Sequence, residues 1–166
     1  TIVLRYFNAI GAHKSGKIGE FLSGATQNLI PLIIKTIIGI NKEFIVFGND
    51  YPTNDGTCVR DYVHVVDIAK AHVKSLMQLI EQKNTYNFDV FNIGSGKSYS
   101  VLQVIKAFEE FNNLKLNYSF SKRRVGDVSS AYADVSKANK ELNWKSELSL
   151  KDGLVSAWRW HKNNKP

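Results

Sequence analysis

Cysteine is almost missing. Cys58 stands alone in 166 residues, which excludes an internal disulfide and a cysteine-based zinc site. One thiol and no disulfide framework fit a reducing, cytoplasmic setting. Long apolar runs are missing as well. The longest stretch, Leu29 to Ile40, is interrupted by Pro31, Lys35 and Gly39 and is too short to span a bilayer, so no membrane partner is expected. His13, His64, His72 and His161 share no metal-ligand spacing, and no metal site is expected. Basic runs are absent too. The net charge is +7, yet the densest cluster is Lys122-Arg123-Arg124. Positive charge without a basic face argues for a focused site for a small anion and against a nucleic-acid surface.

What is present reads as an α/β chain of single-domain length. Residues 2 to 7 form a short apolar run of the kind seen in strands covered on both faces. Asn28 is placed to cap a helix that holds Pro31 in its first turn, runs to Ile38 and stops at Gly39. That helix is apolar on nearly every side, so it is buried or faces another domain or subunit. A second helix opens at Asp67, with Ala69, Val73, Leu76, Met77 and Ile80 on one apolar face. Phe88–Ile93 reads as a strand. After it, Ser100 caps a helix whose face is Val101, Val104, Ile105, Phe108 and Phe111. Leu116–Phe120 alternates like a strand with one buried side. Asp134 caps a short helix through Leu142, with Trp144 packing beyond it. The last helix starts at Ser149, with Asp152 at capping-box spacing. Strands alternating with helices imply parallel pairing.

The most informative stretch is 45–67. The apolar strand Ile45-Val46-Phe47 leads into a turn-rich polar loop, and the chain re-enters extended structure at Cys58. Arg60 then sits at a strand start beside a loop mouth. A guanidinium fork held there suits paired anionic oxygens, but on Arg60 alone a surface salt bridge with Asp61 or another carboxylate is the simpler reading. Arg123-Arg124-Val125-Gly126-Asp127 is a second such cluster. Gly126 supplies a turn that lets Arg124 and Asp127 face one ligand, while Arg123 points elsewhere.

Two tempting motifs fail. Gly94-Ser95-Gly96-Lys97-Ser98 resembles the end of a phosphate-binding loop, but Phe91 stands where the first glycine is required. Tyr118 and Lys122 have Tyr-x-x-x-Lys spacing, but in an alternating strand residues four apart are separated by roughly 13 Å. No other Tyr-x-x-x-Lys exists, and no Gly-x-x-Gly-x-x-Gly follows a strand. No catalytic residue is assigned.

The segments Gly48-Asn49-Asp50-Tyr51-Pro52-Thr53, Asp55-Gly56-Thr57 and Arg60-Asp61-Tyr62-Val63-His64-Val65-Val66-Asp67 closely resemble the UDP-glucose 4-epimerase family, a branch of the extended short-chain dehydrogenase/reductases. The likeness runs over nearly the whole chain, to Asp134-Val135-Ser136-Lys137-Ala138, Leu142, Trp144 and Leu154. Gln27 and Phe21-Leu22 depart from the family's usual residues. The resemblance implies a C-terminal substrate-binding domain plus the last strands of an NAD-binding Rossmann fold. Residues 1–166 would be the UDP-sugar-binding portion, with 1–8 and 88–96 giving strands to the Rossmann sheet and an N-terminal NAD-binding half lying outside the chain. It implies NAD as cofactor, a UDP-hexose as substrate and a homodimer for the full-length protein. By resemblance, Phe7 lies near the nicotinamide and Asn8 contacts the UDP-sugar. Asn28 and Leu29 meet the diphosphate, and Ile45, Val46 and Phe47 receive the uracil. Arg60 and Arg124 take phosphate, Asp127 takes ribose hydroxyls, and Ala131 abuts the hexose, leaving room for an N-acetyl group. Another nucleotide-sugar dehydratase or decarboxylase of the superfamily, or a non-catalytic UDP-sugar-binding module, remains the alternative.

Overall fold

The computed structural model describes residues 1–22, 27–83 and 87–164. In order the elements are β1 (Ile2–Tyr6), β2 (Asn8–Ile10), α1 (Leu29–Ile37), β3 (Phe44–Phe47), β4 (Val59–His64), α2 (Val65–Ile80), β5 (Asp89–Ile93), β6 (Ser98–Ser100), α3 (Val101–Asn112), β7 (Tyr118–Ser121), β8 (Ser130–Ala131), α4 (Ser136–Glu141) and α5 (Leu150–Asn163). The α/β class and the parallel pairing follow the expected pattern. β1 runs parallel to β5, β2 to β4 and β3 to β7. The first half of β4 also takes β6 antiparallel and β8 parallel. β4 is therefore the strand on which the other elements converge.

Because side chains alternate along a strand, β4 feeds two cores. Tyr62 belongs to one with Ile33, Val46, Val104, Phe108 and Leu154. Val63 belongs to the other with Phe91, Ile93, Ala138, Leu142 and Trp144. α1 is buried through Ile30, Ile33 and Ile34, which explains its all-round apolar sequence. The caps of α3 and α5 form as their spacing predicts, with complete capping boxes at Ser100–Gln103 and Ser149–Asp152.

Five expectations need correction. β1 is not covered on both faces: Val3, Arg5 and Tyr6 are exposed, and among the described residues it pairs only with β5. α2 starts at Val65, two residues before Asp67, because the His64 side chain accepts the Val66 N–H and caps it. Its apolar stripe points outward, with Val73, Leu76 and Ile80 at 61%, 57% and 64% exposure. The buried side is Asp67, Ile68, Ala71 and Ser75. In β7, Phe120 is exposed, so the alternation ends with Tyr118 partly buried. Asp134 lies before the cap position of α4, where its carboxylate accepts both the N–H and the hydroxyl of Ser136.

His64 links three elements. It ends β4, Nδ1 accepts from Val66 at 3.1 Å, and Nε2 meets Ser156 Oγ of α5 at 3.2 Å. Burial pushes its pKa below the ordinary imidazole value, against the pull of Asp67 and Asp152. The unfolded chain therefore takes up this proton first, once the pH falls below about 6.5, and stability is lost from there down to the depressed folded value. In thermal melts of the full-length protein, the melting temperature should fall between pH 7.5 and 5.5. His64→Gln should start lower and fall less across that interval.

Candidate functional site

A cleft of about 280 Å³ opens where β3, β4 and the start of α1 meet. Asn8 enters it from β2, Gln27, Asn28, Leu29 and Leu32 from the start of α1, and Phe44 to Phe47 from β3. Cys58, just before β4, and Arg60 and Tyr62 of β4 are alternate residues on one side of the chain, and Val101 comes from the start of α3. Arg124 and Asp127 close the cleft from the turn after β7. Asn8, Asn28, Leu29, Ile45, Val46, Phe47, Arg60, Arg124 and Asp127 are thus brought together on one surface. Phe7 is not in it. It lines an adjoining hollow of about 440 Å³ that shares Asn8, Asn28, Leu29 and Tyr62 with the cleft. Ala131 also lies off the lining, on β8, where its Cα pairs with that of Arg60.

The electrostatic centre is one carboxylate between two guanidiniums. Arg60 Nη2 is 3.5 Å from Asp127 Oδ1, and Arg124 Nε is 3.3 Å from Asp127 Oδ2. Arg60 also donates to the Val59 carbonyl at 2.8 Å, and Arg124 to Gln27 Oε1 at 3.3 Å. The Arg124 guanidinium lies 5.6 Å from the centre of the Phe47 ring. α1 begins at the cleft with no acidic residue in its first turn, so its leading amides are available to an anion. Asn28 does not cap this helix through its side chain; its amide donates to Glu20 at 3.4 Å.

Arg123 points away from the cleft, as its place on an extended segment implies. It donates to Asp50 Oδ1 at 2.8 Å and stacks 4.3 Å from the Tyr51 ring centre, tying the 48–57 loop to the Arg124–Asp127 turn. The guanidinium holds the Asp50 carboxyl below the usual carboxylate range. At the far end of that loop, burial alone would raise the Asp55 carboxyl. Hydrogen bonds from Ser100 and Thr57 outweigh it and keep Asp55 ionised. Gly56 has φ +78°, and a Cβ there would stand 2.1 Å from the Asn49 carbonyl oxygen, so the loop accepts no side chain at that point.

Motif reading passed over several residues that matter. Tyr62 lines the cleft, and burial pushes its phenol pKa up, so it is a neutral hydroxyl there. Asp61 is fully buried and accepts from Ser95 N and Oγ (both 2.7 Å), Gly96 N (3.0 Å) and Ala133 N (3.2 Å). A Cβ at Gly94 would fall 2.5 Å from Asp61 Oδ2. The resemblance of 60–67 flagged Asp61 as a motif residue, but only the fold shows what it binds. Among the described residues no cluster of side chains could hold a metal ion.

Residues 1–156 match the family model described as GDP-mannose 4,6 dehydratase. The chain is 45% identical over 162 residues to the UDP-glucose 4-epimerase of Bacillus subtilis (strain 168), covering 98% of this chain and 47% of that protein. It is similar to the crystal structure of UDP-glucose-4-epimerase from Stenotrophomonas maltophila with bound NAD and formylated UDP-arabinopyranose. There the TM-score is 0.92 and the identity 42%, over 98% of this chain and 47% of that one. It is also similar to the Bifidobacterium longum UDP-glucose 4-epimerase in complex with NAD+ and UDP. The TM-score is 0.89 and the identity 47%, over 98% and 48%. The chain spans about half the length of the curated relatives it matches.

Removing the Asp61 carboxylate leaves buried backbone donors without acceptors, each worth about 1–3 kcal/mol. Urea unfolding of the full-length protein should therefore show Asp61→Ala to be destabilised by about 3 kcal/mol or more. A change below about 1 kcal/mol would mean that water replaces the carboxylate and that it is not a structural tie.

Proposed function

Because the chain belongs to the GDP-mannose 4,6-dehydratase family, we propose that it is the UDP-sugar-binding portion of an NAD-dependent UDP-glucose/UDP-galactose 4-epimerase. One observation carries this reading beyond the likeness to known 4-epimerases. Arg60 and Arg124, far apart in the sequence, converge on a single anionic group inside a cleft that α1 enters by its N-terminus. Two guanidiniums and a helix start form a site for a doubly charged diphosphate.

The rest of the cleft fits the rest of UDP. β3 pairs with β7 along one edge, and among the described residues its other edge is unpaired. The peptide groups of Ile45–Phe47 can then pair with the donor and acceptor edge of uracil, with Phe47 and Val101 as apolar walls. Asp127 is placed to accept hydrogen bonds from ribose hydroxyls, and Asn28 and Leu29 bring the α1 terminus to the diphosphate. Asn8 lies where cleft and hollow meet, which is where the hexose would sit. Ala131, off the cleft lining and one strand over from Arg60, would present only a methyl group to the hexose.

The hollow lined by Phe7 and Asn8 fits the nicotinamide end of NAD, and this chain has no glycine-rich loop for the dinucleotide phosphates. When bound, NAD supplies the hydride acceptor and donor for chemistry at C4 of the hexose. What this chain does is hold the nucleotide firmly and leave the sugar lightly gripped, as a reaction at either face of one carbon requires. Binding energy from the remote nucleotide then serves chemistry at the sugar. Tyr118 lies in β7 with Lys122 just past it, so they share no helical face, and the acid–base pair comes from elsewhere in the whole protein. The open edge of β1 and the outward apolar stripe of α2 suit the docking of that NAD-binding portion, which would extend the β1–β5 sheet.

Calorimetry on the full-length protein tests the reading: Arg60→Ala and Arg124→Ala should each weaken UDP binding by about 10- to 100-fold, the worth of a charge-assisted hydrogen bond. UDP affinity unchanged in both variants would overturn it. The room at Ala131 generates a separate expectation. The full-length protein should interconvert UDP-GlcNAc and UDP-GalNAc as well as the plain hexoses. Ala131→Tyr should cut the first activity to about a tenth or less by excluding the N-acetyl group, with the second little changed. Activity confined to UDP-glucose and UDP-galactose would refute it.

A further inference from the structure

We propose that Asp127 is a selectivity filter: its carboxylate pairs with both arginines of the cleft as an internal counter-ion, so the site discriminates against bare inorganic diphosphate and favours a diphosphate that carries a ribose diol. The proposal rests on the UDP reading of the cleft and adds to it how that site excludes the wrong anion.

The geometry is specific. Each carboxylate oxygen serves one guanidinium, Oδ1 toward Arg60 and Oδ2 toward Arg124, at 3.5 and 3.3 Å. Both distances are longer than those of a well-formed charge-assisted bond, so the contacts can be exchanged for better ones. The carboxylate cannot withdraw far. The Asp127 N–H donates to the Arg124 carbonyl at 3.2 Å across the turn that contains Gly126, so the acid and one of its arginines form one rigid unit. Among the described residues its ion pairs are with these two arginines, and the neighbouring Arg123 is engaged by Asp50 and the Tyr51 ring.

An incoming anion therefore meets two positive groups and one negative group in the same cleft. Inorganic diphosphate must pull both guanidiniums from the carboxylate and then lie against an uncompensated negative charge. It has no neutral donor to offer in exchange. A nucleoside diphosphate makes the same demand on the arginines but brings two ribose hydroxyls. These can donate to the carboxylate oxygens as the guanidiniums leave them. The carboxylate costs affinity for every diphosphate and returns it only to one with a diol, which is discrimination through an unfavourable element.

Titration calorimetry on the full-length protein with inorganic pyrophosphate, UDP and 2′,3′-dideoxy-UDP tests this. Asp127→Asn removes the charge and should bind pyrophosphate about tenfold tighter, the scale of one removed repulsion at a partly screened site. The preference of the unsubstituted protein for UDP over the dideoxy analogue should shrink in the variant. Asp127→Ala removes the same charge without an amide and should show the same gain for pyrophosphate. If one variant fails to fold, the other decides. Pyrophosphate affinity that is unchanged or weaker in a folded variant overturns the filter and leaves the UDP reading standing. Absence of UDP binding by the unsubstituted protein overturns both.

Discussion

The structure depends on a buried carboxylate that, among the described residues, forms no ion pair. Asp61 sits in the middle of β4 with no exposure, and backbone and hydroxyl donors from the 94–96 turn and from Ala133 surround it. An ion in that position survives only if its lone pairs are filled, and the donors that fill them come from two segments distant in sequence. Satisfying the charge therefore forces the turn after β5 and the strand end after β8 to meet at β4. Strand alternation does the rest. With Asp61 fixed on one side, Arg60 and Tyr62 must face the other, and that side is the cleft. The direction in which Arg60 points is set by what its neighbour binds.

Two further ties keep the cleft from opening. The 48–57 loop is held at one end by Arg123, through Asp50 and Tyr51, and at the other by Asp55, through Thr57 and the Ser100 hydroxyl that also caps α3. A helix cap, a polar loop and the strand carrying Arg60 are thus one hydrogen-bonded unit. The excess of positive charge takes no direct part. Lys70 is paired with Glu147, Lys137 with Asp89 and Arg123 with Asp50. What the cleft offers an anion is the convergence of Arg60 and Arg124.

Much of this was legible in the sequence where the cause is local. A glycine between Arg124 and Asp127 predicts a turn that aims both at one place, and they do meet. Ser100 and Ser149 predict caps because the acceptor and the amides it serves lie within four residues. Where the cause is distant, the reading failed. Nothing near Phe7 announces that the chain leaves one sheet and joins another, because the partners, Ile93 and Tyr62, are far along the chain. The outward stripe of α2 is a different kind of miss. Periodicity reports that a helix has an apolar face but not what will cover it, and here the interior takes Ala71 and Ser75. β6 was missed since three residues carry too little pattern to register. Tyr62 as a cleft residue and Asp61 as a tie could be named from the motif but not assigned, because their roles depend on where β4 lies among its neighbours.

The same distinction separates the two ends of the cleft. Its charged end is built from hydrogen-bonded and ion-paired groups: Arg60, Arg124, Asp127, the α1 terminus and the edge of β3. Each is positioned by at least one tie to another element, so little ordering entropy is lost when a nucleotide arrives. Beyond Asn8 the character changes, to the open hollow lined by Phe7. A site that gripped the sugar equally well would stabilise one orientation of the hexose, and each kilocalorie so gained would be added to the barrier for presenting its other face. On the proposed reading, strong positioning at the diphosphate combined with sparse contact at the ring is the arrangement that would lower that barrier.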